Sequence, residues 1–221
     1  MTDIARKLKR AVQRHGIIGL LGVVAGHVLL RVNWLLPSIR AQIRERKKRA
    51  MAFDEQFGVN TAGRIHQTRL KINNPNQLHA VLYEGSDPKY FRDAINALPI
   101  DYERFVLIDF GSGKGRAILL ASEFPFKRIV GVEFSEELHR IAQENIRRFH
   151  SDKCKCKLIE SICMDAIAYQ LPNDHLVCYF FNPFDETLMA QMLANIRDFL
   201  SQNPREIFIV YYNPREGHLI D

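Results

Sequence analysis

Val106-Leu107-Ile108-Asp109-Phe110-Gly111-Ser112-Gly113-Lys114-Gly115-Arg116 is the stretch on which the reading of this chain turns. Its first half is a short apolar run, which predicts a buried strand. Glycines then alternate with other residues, and residues 116–124 read as a helix stopped by Pro125. A strand thus delivers its carboxyl end into a glycine-rich turn that opens a helix. Glycines there let the backbone take positive φ and approach a ligand closely, while the helix start offers N–H groups.

Outward from this turn the same alternation continues. Strands are predicted at 104–109, 128–133 (RIVGVE), 157–163, 176–181 and 206–212. Helices are predicted from Pro88 to Leu98 after the cap Ser86-Asp87, over 136–150, and over 186–200 behind the cap Asp185. Leu138, Ile141, Ile146 and Phe149 give the second of these a broad apolar face. Near-continuous apolar strands separated by helices predict an α/β fold: a doubly wound, mostly parallel sheet covered on both faces.

Two ligand classes use such a turn. Dinucleotide folds want G-x-G-x-x-G, but here the third glycine falls one position early, at Gly115, and Arg116 stands where a small residue is needed. Asp109 would repel a pyrophosphate and attract a cationic ammonium or sulfonium. No Gly-Lys-Ser/Thr follows, so the phosphate-binding loop of nucleotide hydrolases fails as well. A nucleotide-dependent oxidoreductase is disfavoured on the same residues.

The net charge of +6 over 221 residues is unevenly placed. Residues 1–50 carry +10 and the remainder −4, so a basic tail is supported and a basic groove on the main domain is not. With 47% hydrophobic and 25% charged residues the chain is an ordinary globular protein. The organisation expected is a basic, hydrophobic N-terminal helical segment, 1–50, before a main domain, 51–221. Within the first, residues 17–36 (IIGLLGVVAGHVLLRVNWLL) are strongly apolar between basic flanks. Their length suits a bilayer, although His27, Arg31 and Asn33 interrupt them. The readings open for them are a helix lying on or spanning an anionic membrane, a helix packed on protein, and a cleaved signal. Residues 40–56 read as a charged helical linker. Cys154, Cys156, Cys163 and Cys178 read as reduced structural thiols of a cytoplasmic protein, since a lone C-x-C lacks a second ligand pair for zinc; no metal site is predicted.

The run D-F-G-S-G-K-G-R at 109–116 resembles the first motif of class I, Rossmann-like, S-adenosyl-L-methionine-dependent methyltransferases. Gly131-Val132-Glu133-Phe134 resembles the second motif, and Met164-Asp165-Ala166 the third. Phe180-Phe181-Asn182-Pro183-Phe184 is similar to the catalytic-edge motif of amino-group methyltransferases. Each alone is modest, because an acid ending a strand is commonly a solvated terminus and N-P-F commonly a turn. Their order and their strand-end placement carry the resemblance. Less specifically, residues 53–63 (FDEQFGVNTAG) and Tyr83-Glu84 are similar to the front of uncharacterised bacterial members with a hydrophobic, basic leader.

The resemblance implies S-adenosyl-L-methionine as cofactor and an enzyme that methylates an amine nitrogen by in-line displacement, the amine belonging to protein lysine or a small molecule. It implies that Gly111, Ser112, Gly113 and Gly115 contact the methionine end and that Asp109 holds its amino group. Glu133 would accept the ribose hydroxyls, with Phe134, Asp165, Ala166 and Asn182 completing the cofactor site and Asp165 bonding the adenine amino group. Asn182 would accept a hydrogen bond from the target amine, Pro183 would set the turn, and Phe184 would wall the substrate. Thr61 and Tyr83 would roof the pocket. A single proline after Asn182 disfavours nucleic acid as substrate. The family sheet usually ends in an antiparallel pair, which this chain lacks after residue 212, so the fifth strand is expected to be an edge and the cofactor-binding but inactive regulatory protein is the alternative. A cytoplasmic place, with contact to the inner face of the membrane through residues 1–50, is expected.

Overall fold

A computed structural model describes residues 37–65 and 83–220, with side chains from Arg40 onward. The chain divides into two units, Met1–Arg46 and Lys47–Asp221, and the sheet and the candidate site lie in the second. The apolar stretch 17–36 lies outside the described residues. Among the described residues no helix is long and apolar enough to cross a membrane.

The elements are α1 (Pro37–Phe57), the short antiparallel pair β1 (Arg64–Ile65) and β2 (Tyr83–Glu84), α2 (Pro88–Asn96), β3 (Phe105–Phe110), α3 (Arg116–Ala121), β4 (Arg128–Glu133), α4 (Glu136–Arg148), β5 (Ile159–Cys163), β6 (His175–Phe180), α5 (Glu186–Gln202) and β7 (Ile207–Tyr211). Strands β3 to β7 form one parallel sheet in the order β5-β4-β3-β6-β7. The chain builds outward from β3 in one direction, then returns to build outward in the other. The switch falls between β3 and β6, where the loops after the two strands diverge and leave a crevice.

Alternation along the strands sorts the core into two layers. Phe105, Leu107, Ile129, Val177 and Tyr179 pack with Phe91 and Ile95 of α2 and the buried run of α3. On the opposite face, Val106, Ile108, Phe110, Val130, Val132, Cys178 and Phe180 pack with Leu188, Met189, Met192 and Ile196 of α5. Both faces being covered is why these strands read as unbroken apolar runs. Asp87, Ser135 and Asp185 each accept a backbone N–H of the first turn of α2, α4 and α5, which starts those helices where the sequence places them.

Several elements end short of the ranges the sequence predicts. Helix α3 stops at Ala121, where the Ser122 hydroxyl turns back to the Leu119 carbonyl at 2.6 Å. The Ser122 carbonyl then accepts the N–H groups of both Lys155 and Cys156. Those donors are spent on a helix end, and β5 begins at Ile159. Strand β7 is an edge of the sheet among the described residues. All four cysteines are free thiols.

Leu107 is fully buried in the central strand whereas Leu158 is 65% exposed. Urea unfolding is expected to show Leu107→Ala losing about 2–5 kcal/mol and Leu158→Ala changing stability by no more than about 0.5 kcal/mol.

Candidate functional site

The turn after β3 is left-handed at three glycines, Gly111 (φ 77°), Gly113 (φ 56°) and Gly115 (φ 86°). At two of them space also demands glycine. A Cβ on Gly111 would lie 2.5 Å from Cβ of Pro183, and one on Gly113 would lie 2.2 Å from the Tyr83 ring. The turn is therefore pressed between the Asn182-Pro183 corner after β6 and the Tyr83 ring of β2.

Four of its N–H groups are already used. Those of Gly111 and Ser112 donate to the Val132 carbonyl at 2.9 and 3.1 Å, and that of Gly115 donates to the Ser112 carbonyl at 2.9 Å. The Gly113 N–H donates to Oε2 of Glu133 at 2.8 Å. β4 consumes three of these four groups, and none of the four is available to a phosphate nest.

The two acids stand at neighbouring strand ends on the α2–α3 face. Glu133 is 3% exposed; its Oε1 accepts the Ser135 N–H at 2.8 Å while Oε2 holds Gly113. With a third bond from the Phe134 N–H, one lone pair of the carboxylate is left. Burial pushes the Glu133 carboxyl up to about 7, against the bonds from Ser135, Gly113 and Phe134 that favour its charged form. Asp109 is also 3% exposed, and no hydrogen-bond donor among the described residues meets its carboxylate. Burial, and then the neighbouring Glu133 charge, push the Asp109 carboxyl up to about 8. Two buried acids without a cation are costly. A positively charged group entering here would favour the ionised form of Asp109 and restore neutrality.

Beside the turn, Gly111, Val132, Phe134, Met164, Asp165, Ala166, Phe184 and Leu188 line a small, largely apolar cleft. Sequence-predicted residues from the ends of β3, β4, β5 and β6 thus meet in one place. Asp165 also accepts the Ile167 N–H at 3.0 Å and so starts the short turn Ala166–Ala168. Phe184 is 5% exposed and packed in the α5 layer. Its ring lines this cleft. Ser112 is buried with its hydroxyl turned to Gly131, where a Cβ would come within 2.7 Å, and that hydroxyl makes no hydrogen bond. Its side chain therefore faces β4 and leaves only backbone for the cleft.

Asn182 follows β6 in the left-handed region (φ 45°), which asparagine tolerates, and is 5% exposed. Its Oδ1 accepts a long hydrogen bond, 3.4 Å, from the Tyr211 hydroxyl, which in turn accepts the Glu216 N–H at 3.4 Å. Nearby, ligand atoms of Glu186, Glu216 and His218 lie within 4.8 Å of one another at the surface.

A brace outside the turn was not legible as such. Arg116, 2% exposed, donates Nε–H to Oγ1 of Thr61 at 2.6 Å and reaches Asp54 at 3.5 Å. Asp54 also accepts the N–H groups of Thr61 and Ala62 at 2.7 and 2.6 Å. The Tyr83 hydroxyl donates to the Thr61 carbonyl at 2.8 Å, and Nζ of Lys114 donates to Asn60 and Ala62. Asn145 of α4 bonds both Asn60 and the Lys114 carbonyl. Thr61 is fully enclosed with its hydroxyl between Asp54 and Arg116, so its expected place on the pocket roof is corrected to a strut. Tyr83 does lie on the turn, and burial pushes its phenol well above the usual range. The signal available was Arg116 itself, a charge at a position that must be buried.

No family model matches this chain. No curated protein matches it. Solved structures similar to it include an RNA methyltransferase from Salinibacter ruber in complex with S-adenosyl-L-homocysteine, at 19% identity and TM-score 0.41 over 56% of this chain and 73% of that one. Another is phosphoethanolamine N-methyltransferase 1 of Haemonchus contortus with phosphoethanolamine and S-adenosylhomocysteine, at 17% identity and TM-score 0.39 over 55% of this chain and 25% of that one. A third is the geranyl diphosphate C-methyltransferase of Streptomyces coelicolor, at 14% identity and TM-score 0.42 over 59% and 48%.

Asp109 holds its proton in the folded chain up to about pH 8, but its unperturbed value is 3.8. The folded state therefore binds more protons between those limits, and stability falls as pH rises through them. Glu133 adds a fall of the same sign between 4.5 and about 7. Thermal unfolding of the ligand-free chain should show the midpoint dropping from about pH 5 to about pH 8. In Asp109→Asn the drop above about pH 7 should vanish while the Glu133 part remains. A rising midpoint across that interval contradicts the burial assigned to these acids.

Proposed function

We propose that the chain is an S-adenosyl-L-methionine-dependent methyltransferase acting on an amine nitrogen. The observation that carries the reading is the buried Asp109 carboxylate, which no donor among the described residues meets, beside a turn with four N–H groups already spent. That pairing suits a cationic ligand and is hostile to a pyrophosphate. The rest of the site fits the same molecule in order along the sheet. Asp109 and the bare backbone of Gly111 and Gly113 would hold the ammonium end. The lone pair left on Glu133 would accept one hydroxyl of a diol. Phe134, Asp165, Ala166 and Phe184 would enclose a flat heterocycle in the apolar cleft.

When bound, the cofactor supplies an electrophilic methyl group on a sulfonium. The protein's task is then alignment of the nucleophile, which by itself accounts for much of the acceleration such displacements need. Asn182 stands at the switch point, and its Oδ1, oriented by Tyr211, has a lone pair left to accept an N–H of the amine and aim the nitrogen's own lone pair. Pro183 fixes this corner against Gly111. The acceptor's proton leaves to solvent or to a nearby carboxylate.

Calorimetry with S-adenosylmethionine, S-adenosylhomocysteine and NAD tests the ligand class, and only the first two are expected to bind. Asp109→Asn should weaken S-adenosylmethionine by about tenfold or more, the size of a charge-assisted hydrogen bond. Asn182→Ala should leave cofactor affinity nearly unchanged and abolish transfer of radiolabelled methyl into cell extract; a large loss of cofactor binding in that variant refutes its role. Separation of the extract into membrane, protein and RNA fractions then reads the acceptor class directly.

A further inference from the structure

Arg116 opens α3 directly behind the glycine turn, yet it does not line the cleft beside that turn. It is 2% exposed and reaches the segment before β1 instead. There its Nε–H donates to Oγ1 of Thr61 at 2.6 Å, and Nη2 donates to the Ala50 carbonyl at 3.4 Å. The Thr61 hydroxyl has one hydrogen, which it gives to Oδ1 of Asp54. It therefore donates to the acid and accepts from the base at once. A valine of the same shape can do neither.

Two further contacts carry this anchorage to Tyr83. The Tyr83 hydroxyl donates to the Thr61 carbonyl at 2.8 Å. Two residues on, a Cβ on Gly85 would lie 2.8 Å from that same carbonyl oxygen and 2.9 Å from Cζ of Arg116, so the chain after β2 runs against the guanidinium with room for a hydrogen alone. The Tyr83 ring in turn rests on Gly113, where a Cβ would come within 2.2 Å of it. The contacts close a ring that runs from Gly113 through Arg116, Thr61 and Tyr83 back to Gly113.

Closure decides what Tyr83 can do. Burial governs its phenol, and the charges of Arg116, Asp54 and Asp109 all reach it, so the residue stands near both the brace and the buried acid. Anchored at its hydroxyl and seated on the turn, the ring is a fixed wall. A wall fixed beforehand spares an arriving ligand the cost of ordering it.

We propose that Arg116 and Thr61 are positioning residues of the cofactor site: they hold Tyr83 against Gly113 as the outer wall of the pocket for the cofactor's amino-acid end. The assignment rests on the methyl-transfer reading of this site and adds to it two residues that act through a third.

The full chain is titrated in a calorimeter with S-adenosylhomocysteine and with 5′-methylthioadenosine, which keeps the nucleoside and lacks the amino-acid end. Thr61→Val removes the hydroxyl and keeps the shape, and Tyr83→Phe removes the anchor and keeps the ring. Each is expected to weaken S-adenosylhomocysteine by about fivefold. Neither should change the affinity for 5′-methylthioadenosine, and Thr61→Ser, which restores the hydroxyl, should bind both ligands as the unaltered chain does. The two removals break one linkage, so combining them should cost about as much as one alone, well short of about twenty-five-fold. Tyr83→Phe leaves every buried charge in place and decides the matter by itself if Thr61→Val does not fold. Equal losses for both ligands, the mark of a brace that only supports the fold, overturn the proposal. So does unchanged S-adenosylhomocysteine affinity in Tyr83→Phe, or multiplied losses in the double variant. No binding of S-adenosylhomocysteine by the unaltered chain defeats instead the methyl-transfer reading beneath it.

Discussion

The hydrogen bond from the Gly113 N–H to Glu133 joins the end of β4 to the turn that follows β3. With it, and with the Val132 carbonyl taking Gly111 and Ser112, the turn is set by the adjacent strand before any ligand arrives. Everything beside the turn takes its position from this. Gly111 presents bare backbone to Pro183, Gly113 receives the Tyr83 ring, and Ser112 is driven against Gly131. A preformed wall of this kind costs a ligand little ordering on arrival.

Spending the donors inward has an electrostatic consequence. Asp109 sits at the end of a fully buried strand with nothing among the described residues to solvate it, and Glu133 raises its burden. Proteins retain buried acids of this sort chiefly where a charge is to be recognised or a proton held. The stability cost is local and the surrounding layers offset it, since both faces of β3 are packed without exposure.

The brace of Asp54, Thr61 and Arg116 does for the outside of the turn what β4 does for the inside. Arg116 is the first residue of α3 and lies fully within the protein, with the Phe53 ring 5.8 Å from its guanidinium. Its charge is shared with Asp54 and its Nε–H with Thr61, so that the segment before β1 is fastened to the helix start. Removing a single partner would strand the others, which is the usual penalty in a buried polar network.

By itself the sequence determined the α/β class, the strand that carries the turn, the caps Asp87 and Asp185, and the acids at 109, 133 and 165 that end consecutive strands. These follow from local rules: apolar runs, glycine at left-handed positions, and short polar side chains that cap helices. Only the tertiary structure decided that the N–H groups of Gly111, Ser112 and Gly113 face β4, that Thr61 is a strut, that Phe184 lines the cleft and that Tyr212 meets both Phe181 and Tyr90. Those outcomes depend on which distant carbonyl or ring occupies each space. Asn145 reaching Asn60, or Ser122 intercepting Lys155 and Cys156, leaves no trace in the spacing of either partner. Periodicity reports which way a side chain points from its own element, whereas what it meets there is set by packing between elements far apart in the chain.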